Sequence, residues 1–316
     1  MTRLAITESR RGFLLGLAAY GIWGLFPLYW PLLEPAGAVE ILAHRIVWSC
    51  VTMGLLVLVL RRTAVVRSIA ADRRTRAILG LAACLITVNW AVYIWGVNNG
   101  HVVETSLGYF VNPLVTVLMG VFILGERLRR WQWAALAVAA LAVVVLTLDY
   151  GRPPWIALTL ALTFGSYGLC KKQANAPAIE SLTFETTVIA PVALAYLGWL
   201  VWHGESDFAG HGAGHTLLLM SAGIVTAVPL VCFGGAAIRV PLVTLGLLQY
   251  LTPTLQFGLG VLYFHEDMPA GRWVGFGLVW VALVMFTVES LRHRRTSVRL
   301  VTAAAADDAF GPSFIE

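Results

Sequence analysis

The chain has 316 residues, of which 59% are hydrophobic and only 12% charged, with a mean hydropathy of +0.78 and a formal net charge of +5. A water-soluble core cannot hide so large an apolar share, since roughly a quarter of the residues of ordinary globular domains are charged; lipid must be the solvent for most of this chain. The basic excess sits in short stretches between apolar runs and forms no continuous basic face, which excludes a nucleic-acid partner and leaves the bilayer surface as the partner of those charges.

Ten apolar runs follow in chain order, each near the roughly 20 residues that a helix needs to cross the hydrocarbon. They cover 13–31, 40–60, 77–96, 103–124, 131–148, 154–170, 186–202, 216–237, 243–264 and 272–289. The first is too long for a secretory signal and lacks a small-residue cleavage pattern, so it is expected to stay in the mature protein. Trp23, Gly24 and Pro27 in that run, and Gly165 and Gly168 in the sixth, are places where a helix bends or another approaches closely. Cys50, Cys84, Cys170 and Cys232 all fall inside apolar runs without a CxxC or Cys/His spacing, and read as small buried apolar residues. Between the seventh and eighth runs, His203, His211 and His215 flank Glu205 and Asp207. The intervening Gly210, Gly212 and Gly214 leave that segment too flexible for a defined metal site, so neither a metal nor a cofactor is expected. Beyond about residue 296 no periodic apolar face remains, and the tail is expected to be disordered.

Charge placement sets the orientation. With a cytoplasmic amino terminus, 19 of the 22 Lys and Arg fall on the cytoplasmic side, leaving only Arg45, Arg152 and Arg272 on the other. That is the asymmetry of the positive-inside rule. Both termini are therefore expected inside, in a multi-pass membrane protein.

A repeat gives this string of helices a plan. Asn112-Pro113, Gly120, Glu126 and Trp133 are matched 140 residues later by Thr252-Pro253, Gly260, Glu266 and Trp273. Five spans per half is an odd number, so the second half enters the membrane upside down, as in inverted-repeat transporters. The expected fold class is all-α integral membrane, ten transmembrane helices in two inverted repeats. A tail of 1–12 precedes the repeats at 13–148 and 149–290, and a tail of 291–316 follows. Pro113 and Pro253 fall in the middle thirds of spans four and nine, where each removes a backbone hydrogen bond and favours a kink.

The runs EILAHRIVWS from Glu40, VNWAVYIWGVNNG from Val88 to Gly100, ETSLGYFVNPL from Glu104 and LGLLQYLTPTLQF from Leu245 resemble the RarD branch of the EamA family, in the drug/metabolite transporter superfamily. The similarity covers nearly all of residues 11–290. It implies a ten-helix permease of a bacterial inner membrane built from two EamA repeats, in a branch associated with chloramphenicol sensitivity, and it names an architecture more securely than a cargo.

Polar side chains inside the spans are where a small-molecule substrate would be felt. Arg45 suits a carboxylate or phosphate, or else snorkels to headgroups or pairs with Glu40 or Glu104. His44 is either a titrating group of a proton-coupled cycle or a hydrogen-bonded structural histidine. Asn89, with Trp90 and Tyr93 beside it, suits polar cargo or a helix-to-helix hydrogen bond. Asn112, Gln249, Tyr250 and Gln256 place polar groups beside the two prolines, and Trp23 lies in the first span. Glu104 is a second proton-carrier candidate, or an ordinary headgroup-zone carboxylate like Glu126 and Glu266.

No phosphate-binding GxxxxGK[ST], GxSxG, HExxH or dinucleotide fingerprint occurs, so an enzyme is not expected. The leading expectation is a secondary transporter of a small organic molecule working by alternating access of the two repeats, with proton coupling left open. The alternatives are an integral-membrane enzyme and a non-transporting scaffold. Oligomeric state is left open, a monomer being admissible.

Overall fold

The computed structural model describes residues 2–124, 128–237, 239–240 and 248–309, with side chains described over 10–119, 121–123, 128–236, 239–240 and 248–289. Among the described residues there is no strand, and the all-α expectation holds. The helices are α1 (Thr2–Gly24), α2 (Phe26–Tyr29, continued by a 3-10 turn at Trp30–Leu33), α3 (Ala38–Val59), α4 (Thr63–Ala71), α5 (Arg73–Asn98), α6 (Val102–Leu124), α7 (Arg130–Tyr150), α8 (Trp155–Ala174), α9 (Ala178–His203), α10 (Gly212–Ala237), α11 (Leu251–Leu262) and α12 (Ala270–Ala309). The last helix thus continues into the stretch that the sequence reading leaves to a disordered tail. Glu126, Arg127 and residues 241–247, the start of the expected ninth span included, lie outside the described residues.

Among the described residues, seven helices are long and apolar enough to cross a membrane, and eight when the bent pair Arg10–Gly24 and Phe26–Leu33 counts as one span. Of the ten expected spans, the sixth falls short of that test, and the ninth is described only from residue 248 on. Lys171, Lys172 and several small polar residues dilute the apolar run of α8, and α11 has 12 residues. On outer faces the helices show large apolar side chains, with Val59 and Leu148 each 78% exposed and Trp202 87% exposed. Exposure of that kind is stable against lipid tails and unfavourable against water.

Two compact units make up the chain, Met1–Met119 with Pro154–Met268, and Gly120–Pro153 with Pro269–Glu316. In the first, α3 packs against α9 and α10, α5 against α8, and α1 against α10 and α11. Its core holds the fully buried Trp30, Leu33, Ile41, Ile94, Ile156 and Leu160. The α3–α10 contact is close enough that a methyl group on Gly223 would overlap the carbonyl of Trp48. A 46° bend separates α1 from the following turn, at Leu25, and the Leu255 side chain of α11 occupies the space that a Cβ on Gly24 would need. Bend and close approach both fall where Gly24 and Pro27 point. Pro113 stands inside a continuous α6, whereas Pro253 lies in the first turn of α11, where the missing N–H has no intrahelical partner to lose.

Short α4 lies between two spans and tucks Ile69 into a cluster with Leu79, Ala82, Cys170 and Phe184, while Arg67 stays exposed. Asp72 then caps α5 by accepting the Thr75 N–H at 2.8 Å, and hydrogen bonding from Thr75 holds its carboxyl below the usual value. The expectation of four buried cysteines needs correcting. Cys170 is buried, Cys50 and Cys232 are half-buried, and Cys84 is exposed on a helix face turned outward.

The second unit pairs α7 with α12. Gly271 sits against Asp149 and Gly275 against Leu146, so these glycines serve close packing within the chain. Arg272 at the start of α12 donates to Asp149 near the end of α7 at 3.2 Å, and Arg129 at the start of α7 donates to Glu289 at 3.4 Å. Those two contacts make the helices antiparallel.

Candidate functional site

The first turns of α3 carry three polar residues that are almost wholly buried, Glu40, His44 and Arg45, at 3%, 4% and 4% exposure. Glu40 accepts from Ser206 Oγ at 3.1 Å and from the Asp207 N–H at 2.9 Å, tying the start of α3 to the connection after α9. His44 stacks on Phe208 with ring centroids 4.7 Å apart, and its Nε2 lies 3.8 Å from Glu40. Neither ring nitrogen of His44 has a hydrogen-bond partner.

Arg45 points the other way, into a box of aromatic rings. Its guanidinium carbon lies 3.9 Å from the Trp90 ring centroid, 4.8 Å from that of Trp30 and 5.7 Å from that of Phe26. Nε donates to Thr226 Oγ1 at 3.2 Å. One terminal nitrogen, Nη1, is buried with no acceptor, and so is the indole N–H of Trp30. The pairing with Glu40 or Glu104 that the sequence allows is absent among the ion pairs of the described residues.

A relay of hydrogen bonds joined through one ring contact borders this box. Gln256 on α11 donates through Nε2 to the Trp23 carbonyl at 3.1 Å and to the Tyr93 hydroxyl at 2.8 Å, and its own amide oxygen is left without a donor. The Tyr93 ring meets Tyr109 edge to face at 5.6 Å, and the Tyr109 hydroxyl donates to Asn89 Oδ1 at 3.4 Å. Asn89 in turn donates to the Leu160 carbonyl at 3.1 Å and to Thr163 Oγ1 at 3.0 Å, stitching α5 to α8. Trp23, Arg45, Asn89, Tyr93 and Gln256 are therefore drawn into one region.

The remaining candidates lie elsewhere. Asn112 is buried on α6 opposite Gly165 and leaves its Oδ1 unmatched. Gln249 and Tyr250 are half-buried in the turn before α11. Glu104 accepts from the Ile156 N–H at 3.1 Å and so caps the N-terminus of α8. Glu266 does the same for α6, accepting from the N–H groups of Val102 and Val103, the second at 3.0 Å. In both cases a carboxylate answers orphan N–H groups at the positive end of a helix dipole. No group of three or more His, Cys, Asp or Glu suited to a metal occurs among the described residues. His211 pairs with Asp207 at 2.8 Å, and His215 bonds the Leu33 carbonyl at 2.9 Å.

Residue-by-residue hydropathy misses a second buried charge set. Glu185, 1% exposed, accepts from Lys171 Nζ at 2.7 Å and from the Tyr167 hydroxyl at 3.1 Å. Glu180, also 1% exposed, accepts from Arg62 at 3.0 Å, tying the start of α9 to the connection after α3. The signal was present in the 140-residue offset, which carries Glu40 onto Glu180 and Arg45 onto Glu185.

A protein of lipid-facing helices enclosing a buried polar relay belongs to the class of polytopic membrane proteins. Residues 10–148 match the EamA-like transporter family. The chain is 58% identical over 301 residues to protein RarD of Streptomyces exfoliatus, covering 95% of this chain and 96% of that one. It is 42% identical over 291 residues to protein RarD of Escherichia coli, covering 92% and 98%, and 42% identical over 294 residues to the uncharacterized transporter YojE of Bacillus subtilis, again covering 92% and 98%. A crystal structure 18% identical in sequence superposes with a TM-score of 0.57 over 89% of this chain and 98% of its own, which shows a shared fold. The chain belongs to the RarD branch of the EamA family, within the drug/metabolite transporter superfamily.

Proposed function

We propose that the chain is a secondary active transporter that moves a small organic molecule across the bacterial inner membrane by alternating access of two inverted five-helix repeats, both termini being cytoplasmic. One observation carries this reading: helix ends are latched reciprocally, at positions 140 residues apart. Glu40 at the start of α3 holds the connection after α9, and Glu180 at the start of α9 holds the connection after α3. Within the other unit Asp149 and Glu289, also 140 residues apart, each hold an arginine at the start of the opposite helix. Reciprocal contacts of this kind are what a two-fold axis in the membrane plane produces, and rocking about such an axis is how inverted-repeat transporters expose one site to each side in turn. EamA membership supports transport as the use to which the symmetry is put.

The test is flux. Purified protein in proteoliposomes should move at least one member of a broad metabolite and drug panel, and cells with and without the gene should differ in what they accumulate. Asn112→Ala and Gln256→Ala should lower that movement. A protein active in neither assay is not a transporter of this kind, and two wild-type variants would displace the site from these amides.

A further inference from the structure

The relay around Arg45 has a chemical polarity that names a substrate class. Arg45 is 4% exposed and lies among three aromatic faces, and no carboxylate lies within ion-pair distance of it among the described residues. Aromatic faces attract a cation through their quadrupoles but accept no conventional hydrogen bond, so they leave its N–H groups unanswered. Only Nε is satisfied, by Thr226, while Nη1 is buried without an acceptor. Beside it the Trp30 indole N–H, a donor and nothing else, is likewise buried without an acceptor, its ring lying 4.8 Å from the guanidinium carbon. Two donor-only groups, one of them cationic, are buried without an acceptor around the same rings.

A buried charge left without a counter-ion is costly in any low-dielectric interior, and a protein that keeps one usually meets its partner from outside. We infer that the missing acceptor is the carboxylate of the transported molecule, held by Arg45 Nη1 and the Trp30 N–H, with the hydrophobic part of the molecule against Trp90 and Phe26. A planar carboxylate has two acceptor oxygens at the spacing that a guanidinium edge and a neighbouring donor can share. The rings favour an aromatic or branched apolar body over a highly hydrated one as the rest of that molecule. Access to so enclosed a group needs the opening that a transport cycle supplies, and in that respect the inference rests on the transporter reading.

Matched pairs of probes test it. Purified protein in detergent is heated with acetate, benzoate or indole-3-acetate, and in parallel with the neutral amide of each acid, and ligand-dependent shifts in unfolding temperature are converted to apparent affinities. Wild type should be protected saturably by benzoate or indole-3-acetate and not by the amides. Arg45→Gln should weaken that protection by roughly tenfold or more, the usual value of a charge-assisted hydrogen bond. Trp30→Phe, which keeps the ring over the guanidinium and removes only the N–H, should weaken it by a few-fold, and Arg45→Lys should fall between wild type and Arg45→Gln. Should Arg45→Gln not fold, the other two variants decide the matter. The proposal is overturned if amides protect as well as acids, if no acid protects wild type, or if all folded variants bind acids as wild type does. Inorganic phosphate as a further arm reads the rival anion, and protection by phosphate with none by the acids likewise overturns it. Because binding is read without flux, failure here leaves the transporter reading to its own assay.

Discussion

At the scale of single residues, burial separates side chains that hold the protein together from those with bonding capacity in reserve. Asn89 spends its amide on the Leu160 carbonyl and Thr163, and its oxygen on Tyr109. Asn89→Ala should therefore lower stability by about 1 kcal/mol, the typical worth of an interhelical hydrogen bond in a membrane protein, measurable as earlier thermal unfolding in detergent. Glu104 poses a sharper question, because the sequence admits it as a proton carrier and the structure shows it capping α8 through Ile156. Glu104→Gln keeps an acceptor oxygen and should retain most of the stability, whereas Glu104→Ala should lose about 1 kcal/mol or somewhat more. A Glu104→Gln protein that folds normally but no longer responds to an imposed proton gradient would show that the carboxylate does more than cap. Arg45 and Gln256 differ from both, since each still has a buried group without a partner.

At the scale of elements, the contrast between α9 and α3 shows what the sequence makes legible. The apolar runs place nearly every span to within a few residues, because hydropathy summed over twenty residues measures transfer into lipid and little else. Among the described bounds the larger departures are α1, which begins at Thr2 rather than 13, α12, which runs on to Ala309 rather than 289, and the start of α9, at Ala178 rather than 186. The skipped turns contain Glu180, Ser181, Thr183 and Glu185, which read as a loop when each is judged by its own polarity. In the protein all four are buried, and the two carboxylates are answered by Arg62 and Lys171, one from the connection after α3 and one from α8. Partners distant in sequence cannot be seen by a sliding window. Of the candidate site, the residue types were legible from their cost in lipid, whereas the split between relay, cap and aromatic box depends on which helix faces which. That packing also fixes a prediction. At Gly223 the neighbour is backbone, the Trp48 carbonyl, which has no rotamer to retreat to. Gly223→Ala should then force α3 and α10 apart at a cost of about 1–3 kcal/mol, seen as a lower unfolding temperature, while Gly21→Ala, where a methyl meets open space, should leave that temperature unchanged.

At the scale of the whole chain, orientation is the property on which transport direction depends, and it is argued from charge. Six arginines, Arg61, Arg62, Arg67, Arg73, Arg74 and Arg76, surround α4, whereas residues 173–238, which include the connection after α9, contain no Lys or Arg at all. The same two connections are held at opposite ends of the antiparallel pair α3 and α9, one by Glu180 and the other by Glu40. We propose from this geometry and charge that they lie on opposite faces of the bilayer, the basic one in the cytoplasm. In a variant with Cys50, Cys84, Cys170 and Cys232 replaced by Ser, a single reporter cysteine is placed at Ser68, exposed on α4, or at Gly210, exposed in the connection after α9 and with room for a side chain. A membrane-impermeant maleimide added to intact cells should label Gly210→Cys, and should label Ser68→Cys only after the cells are opened. The reverse pattern would invert the orientation while keeping the reciprocal latches. Labelling of both sites from outside would mean that α3 and α9 do not carry their connections to opposite faces, and the two-fold plan built on Glu40 and Glu180 would fall with it.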